Sequence, residues 1–130
     1  MLQGGCHCGA VRYEMPSEVV HSSLCHCRDC RVCAGSPMVA WAAVKRAEFK
    51  LIGEPRIYQS SEHATRAFCG HCGTGLFYVN EVALPDLVDV QTATLDDPDA
   101  LAPQLHVQVA ERIGWMKTAH ELPEFERYPG

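Results

Sequence analysis

A mainly β fold of antiparallel sheets, built around a structural four-cysteine zinc with a short helix or turn near residues 27–34, is predicted by three observations. Strand-sized apolar runs are separated by turn-forming residues. One segment alternates strictly between apolar and polar positions, and seven of the eight cysteines fall in three tight groups.

The runs are Val19 to Leu24, Met38 to Val44, Phe49 to Ile52, Arg56 to Gln59, Ala64 to Phe68, Gly75 to Val79, Leu87 to Ala93 and Leu105 to Val109. Gly, Pro, Asp and Asn punctuate them, as expected where strands end in turns. Leu105-His106-Val107-Gln108-Val109 alternates, which predicts a strand with one buried face. A short helix or tight turn is expected through Cys27 to Ala34, stopping at Gly35 before Ser36-Pro37, because proline lacks the N–H that would continue it. Asp96-Asp97-Pro98-Asp99 reads as a turn followed by one helical turn.

At 130 residues the chain is expected to form one domain spanning 1–130, and with 47% hydrophobic residues it has the material for a core. A formal charge of −5 argues against a phosphate-backbone partner, since nucleic-acid binding needs clustered cations. No run reaches the roughly 18 apolar residues of a membrane span, and Met1 to Tyr13 lack a secretory apolar core. A cytoplasmic location follows as the expectation. In that reducing compartment eight cysteines point to metal ligation rather than disulfides.

Cys6/Cys8 and Cys69/Cys72 each present two thiolates on one turn. Two such half-sites make one closed tetrahedral zinc, and Gly4, Gly5, Gly9, Gly70 and Gly73 around them ease the turns. Cys25, Cys27 and Cys30 supply three more thiolates, the donor number usual for a catalytic zinc with one open position. Cys33 leaves two readings: an open three-cysteine site, or a closed site that includes it. If Cys27 to Cys33 is helical, the two residues stand about 9 Å apart along the axis and about 120° apart around it, which favours the open site.

The motifs Gly4-Gly5-Cys6-His7-Cys8-Gly9-Ala10-Val11-Arg12-Tyr13, Cys25-His26-Cys27-Arg28-Asp29-Cys30, Gly35-Ser36-Pro37, Phe68-Cys69-Gly70-His71-Cys72-Gly73-Thr74, Thr94-Leu95-Asp96-Asp97-Pro98 and the His106 to Trp115 stretch resemble the glutathione-dependent formaldehyde-activating enzymes. The wider group includes centromere protein V. The resemblance implies a β-tent fold and two zincs per chain, with Cys6, Cys8, Cys69 and Cys72 structural and Cys25, Cys27 and Cys30 catalytic. It also implies carbon-sulfur lyase chemistry on a small thiol adduct, glutathione and formaldehyde giving S-hydroxymethylglutathione.

A zinc with an open position acts as a Lewis acid on an aldehyde or lowers the pKa of a bound thiol, and either role suits thiol addition to a carbonyl. Arg28, Arg31, Lys45 and Arg46 are the nearest candidates for binding glutathione carboxylates, with ordinary surface charge as the simpler reading of each. His26 and Asp29 are candidates for proton movement, against the plainer role of supporting the metal loop. His106 is read as structural. His7 and His71 are read as knuckle residues, not ligands, while Trp41, Trp115, Phe68 and Phe77 are assigned to the core, with a ligand-pocket wall beside the open metal as the alternative. Ser36 lacks a nucleophile elbow, which sets a hydrolase aside. The competing function is a non-catalytic, zinc-stabilised binding module with a closed or empty second site. A zinc ribbon for nucleic acid is disfavoured by charge.

Overall fold

The computed structural model describes residues 1–130 and contains two sheets. The smaller has three strands, in the order β1 (Leu2–Gly5), β2 (Arg12–Met15) and β5 (Lys50–Ile52). The larger has seven strands. Its order is β10 (Leu105–Val107), β3 (His21–Cys25), β4 (Val39–Lys45), β9 (Leu87–Gln91), β8 (Gly75–Asn80), β7 (Ala64–Phe68) and β6 (Arg56–Gln59).

Register explains how the larger sheet does two jobs, since alternate residues of a strand face opposite sides. Ala42 pairs with Val90 and Val44 with Val88, so these side chains share one face. That face packs with Leu76 against Val11, Tyr13 and Met15 of the smaller sheet to form the main core. The opposite face carries a row running across five strand pairings, His21–Ala43–Asp89–Tyr78–Arg66–Tyr58. A second row beside it runs Ser23–Trp41–Gln91. This polar face is where the second cysteine group sits.

The helix α1 (Arg28–Ala34) lies on that side. It begins where Cys27 acts as N-cap, its sulfur accepting from the Cys30 N–H at 3.3 Å, with Asp29 placed favourably in the first turn. It ends at Gly35, whose φ of 66° suits glycine, and the N–H groups of Gly35 and Ser36 both return to the Arg31 carbonyl. A single 3₁₀ turn forms at Pro98–Ala100, beginning inside the Asp96–Asp99 turn rather than after it.

Several expectations need correction. Gly4 and Gly5 belong to β1 rather than to the turn. A Cβ at Gly4 would fall on the Tyr13 ring and 2.6 Å from the Thr94 carbonyl, so glycine here permits close backbone approach. The larger sheet is not wholly antiparallel, since β10 pairs with β3 in parallel. The Leu105–Val109 segment buries no full face: Leu105 and His106 are exposed, and the strand stops at Val107 because Gln108 turns to φ 58°. Trp115 is no core residue. It is 60% exposed on a 3₁₀ segment, whereas Trp41 of β4 is buried, packed with Cys25, Cys30 and Val39.

Candidate metal centres

Two knuckles of matching construction meet between the β1–β2 and β7–β8 turns. In each, the first cysteine's carbonyl accepts from a left-handed glycine: Gly9 N–H to Cys6 at 3.2 Å, and Gly73 N–H to Cys69 at 2.9 Å. Each is closed by a second backbone bond, Cys6 N–H to the Val11 carbonyl at 3.0 Å and Cys69 N–H to the Thr74 carbonyl at 2.9 Å. The turns therefore hold Cys6, Cys8, Cys69 and Cys72 with their sulfurs all within 4.8 Å of one another.

Cys6 and Cys8 sulfurs are 3.6 Å apart and Cys8 and Cys69 sulfurs 3.7 Å, and all are free thiols. Tetrahedral zinc with sulfur at about 2.3 Å requires a sulfur–sulfur spacing of about 3.8 Å, so the donor set fits this metal. Backbone N–H groups of Val11 and His71 point at Cys6 and Cys69 sulfurs, at 3.2 and 3.4 Å. Such donors favour thiolate. The Thr74 hydroxyl, 3.2 Å from Cys72, pulls that thiol down to about 5 with help from backbone N–H groups. Cys8 is pushed up to about 11 despite the Ala10 N–H beside it, because it shares its proton with Cys6. A bound cation would stabilise several neighbouring thiolates at once.

The second group lies where β3 runs into α1. Cys25 ends the strand, Cys27 caps the helix and Cys30 sits in its first turn, with the three sulfurs within 4.8 Å of one another. Cys33 is exposed and outside this cluster. Among these thiols the bond between Cys25 and Cys30 lowers the former and raises the latter, with burial raising Cys30 further. Arg66 adds a positive charge: its two terminal nitrogens are 3.8 and 3.9 Å from Cys30 sulfur. The guanidinium is held there by Nε donating to the Ser60 hydroxyl at 3.2 Å and by stacking 4.9 Å above the Tyr78 ring.

The three cysteines open on a cavity of about 480 Å³ that also reaches Trp41, Tyr78, Asp89 and His21. Of the basic residues nominated from sequence, only Arg28 lines it. Arg31 donates to the His26 carbonyl at 3.1 Å, and Arg46 pairs with Glu81 on the far side of the molecule. Lys45 borders a different groove. Asp29 does line the cavity, whereas His26 is buried behind the metal loop. Its Nε2 is 2.9 Å from Nδ1 of His106, and burial, with Arg112 and His106 nearby, lowers its pKa. His7 and His71 belong to neither cluster.

Arg66, Tyr78, Asp89 and His21 were not singled out by sequence. Burial alone pushes the Asp89 carboxyl up to about 7. The available signal was the period-two pattern of β7, β8 and β9, and it becomes informative only once the strand pairing is known.

A mainly β architecture with a four-cysteine and a three-cysteine cluster, each able to hold a metal ion, and a cavity beside the second defines a β protein with two candidate metal centres. The family model for "Glutathione-dependent formaldehyde-activating enzyme" matches residues 1–111, and the chain belongs to this family. It is similar to a Schizosaccharomyces pombe protein named an uncharacterized lyase, at 34% identity over 79 residues, 58% of this chain and 56% of that protein. The match thus spans little more than half of that relative's length. It is also similar to a Halomonas elongata protein named "Putative glutathione-dependent formaldehyde-activating enzyme", at 28% identity over 90% of this chain and 80% of that one. A crystal structure of a Rhodobacter sphaeroides protein shares the fold, with a TM-score of 0.65 and 23% identity, covering 82% of this chain and 100% of that chain. No helix is long and apolar enough to cross a membrane.

Proposed function

We propose that the chain is a zinc-dependent carbon-sulfur lyase acting on a small thiol adduct, with glutathione and formaldehyde as the family-suggested pair. Its two sheets are read as the β-tent of that family. Cys6, Cys8, Cys69 and Cys72 hold a structural zinc, and Cys25, Cys27 and Cys30 hold a catalytic one. The observation that carries the reading is the three-sulfur cluster facing a cavity with Cys33 turned away, because three protein donors leave a tetrahedral ion one position for substrate.

A zinc bound there supplies Lewis acidity that favours the thiolate form of a substrate and polarises a carbonyl oxygen. The rest falls to side chains. Arg66 offsets negative charge on Cys30 and so keeps a three-thiolate donor set from repelling an incoming sulfur. Trp41 and Tyr78 wall the cavity against bulk water. In the forward direction the thiol S–H bond breaks, a sulfur–carbon bond forms, and the proton ends on the former aldehyde oxygen. Asp29, in the cavity rim, is placed to exchange that proton with solvent.

The test is zinc analysis of the purified protein followed by exchange NMR on glutathione with formaldehyde. Two zincs per chain and faster formation of S-hydroxymethylglutathione than in buffer are expected. An unaccelerated reaction with both zincs present rejects formaldehyde activation and favours the non-catalytic module.

A further inference from the structure

The cavity holds an acidic group with no arginine or lysine partner in the protein. Asp89 is 8% exposed, its carboxylate makes no hydrogen bond, and no Arg or Lys lies within ion-pair distance of it. Its Oδ1 faces His21 Nε2 at 3.6 Å, just beyond hydrogen-bond range, and both atoms are sealed from solvent and unpaired. His21 stands two strands away and reaches across only because Ala43, the residue between them in the row, is small. With Oδ1 turned to His21, Oδ2 is the oxygen available to a cavity ligand. A buried carboxylate without a donor is costly, and a ligand cation would offset that cost.

We infer that Asp89 is the recognition site for a primary ammonium group on the thiol substrate, with His21 as the positioning residue behind it. The inference rests on the reading of this cavity as a thiol site. One carboxylate and one imidazole are too few donors for a zinc or similar ion. The neighbouring surface suits an organic cation: Trp41 is diagonal to Asp89 on β4 and Tyr78 is its direct partner on β8, their rings 6.0 Å apart. Tyr78 also packs against the cysteine cluster, so one ligand can place sulfur among the cysteines and its amine at Asp89. The substrate class is therefore an amino-bearing thiol, in which amine and sulfur are separated by several bonds.

Calorimetric titration of the zinc-loaded protein tests this with glutathione and N-acetylglutathione, which differ in the charged amine. Acetylation is expected to weaken binding roughly tenfold or more, the loss of one charge-assisted hydrogen bond. Asp89→Asn is expected to bind the two equally, its folding checked by thermal melting. Equal binding of both thiols by the unsubstituted protein overturns the ammonium site while leaving the thiol site standing, and needs no variant. Binding of neither overturns the thiol reading and the ammonium site with it. Retention of full discrimination by a folded Asp89→Asn protein overturns the role of Asp89.

Discussion

The two cysteine clusters use the same element for opposite ends. The four-cysteine cluster is bonded mainly by its own turns, through backbone N–H groups of Val11 and His71 and the Thr74 hydroxyl. The three-cysteine cluster instead takes a charged side chain from a distant strand, Arg66 of β7. One has four sulfurs, brought together from a turn of each sheet. The other is short of a donor and opens on a cavity. On the function proposed here, the number of sulfurs and the source of the neighbouring donors separate a rivet from a reaction site.

The largest expected effect comes from breaking the rivet. Cys69→Ser should abolish the cooperative thermal transition, because structural zinc contributes about 10 to 16 kcal/mol of apparent binding energy in small peptides, comparable with a domain's whole stability. Cys30→Ser should keep the transition and lose only the second zinc, read by melting and metal analysis. Equal damage from both substitutions would break the distinction.

Asp89 gives the next effect, on the cavity side alone. Its folded pKa of about 7 lies above the unfolded carboxyl value near 3.8, so the native state binds the extra proton. Stability from this group is therefore present at low pH and is lost as pH rises from about 4 through 7, by on the order of a few kcal/mol. Asp89→Asn should be more stable than the parent above pH 7 and should flatten that part of the curve, measured by urea unfolding across pH.

A smaller change is expected from Arg66→Met, which keeps an apolar stem against Tyr78 and removes the charge. Zinc affinity of the second cluster should fall on the order of ten- to a hundredfold, in the range for supporting residues of metal sites, with the first cluster unchanged in a chelator competition. Smallest of all, Cys33→Ala should leave zinc content at its parent value, and loss of one equivalent would close the site that the comparison treats as open.

The cysteines that cluster in space could be read from the sequence because each piece is local: two sulfurs and a glycine within four or five residues at Cys6/Cys8 and Cys69/Cys72, and three sulfurs within six residues from Cys25 to Cys30. Strands β6 and β7 were read with their observed bounds, and α1 could be placed from its Gly35-Ser36-Pro37 stop. Strand β1 was not, since Leu2-Gln3-Gly4-Gly5 resembles a turn until Tyr13 and Thr94 are seen to crowd it. Arg66, Tyr78 and Asp89 escaped for a different reason. Each is an ordinary polar or aromatic strand residue, and only the pairing of five strands, from β7 across to β3, puts them in one row with His21. Pairing is set by which faces bury together, and no short window of sequence contains it.

The span between Cys8 and Cys69, 61 positions along the chain, sets a timetable for synthesis. A nascent polypeptide can gather Cys25, Cys27 and Cys30 as soon as that short stretch leaves the ribosome. The clamp joining the sheets must wait until Cys72 has emerged, after a long loop has closed at its entropic cost. During that interval Cys6 and Cys8 stand as a two-sulfur half-site without its mate.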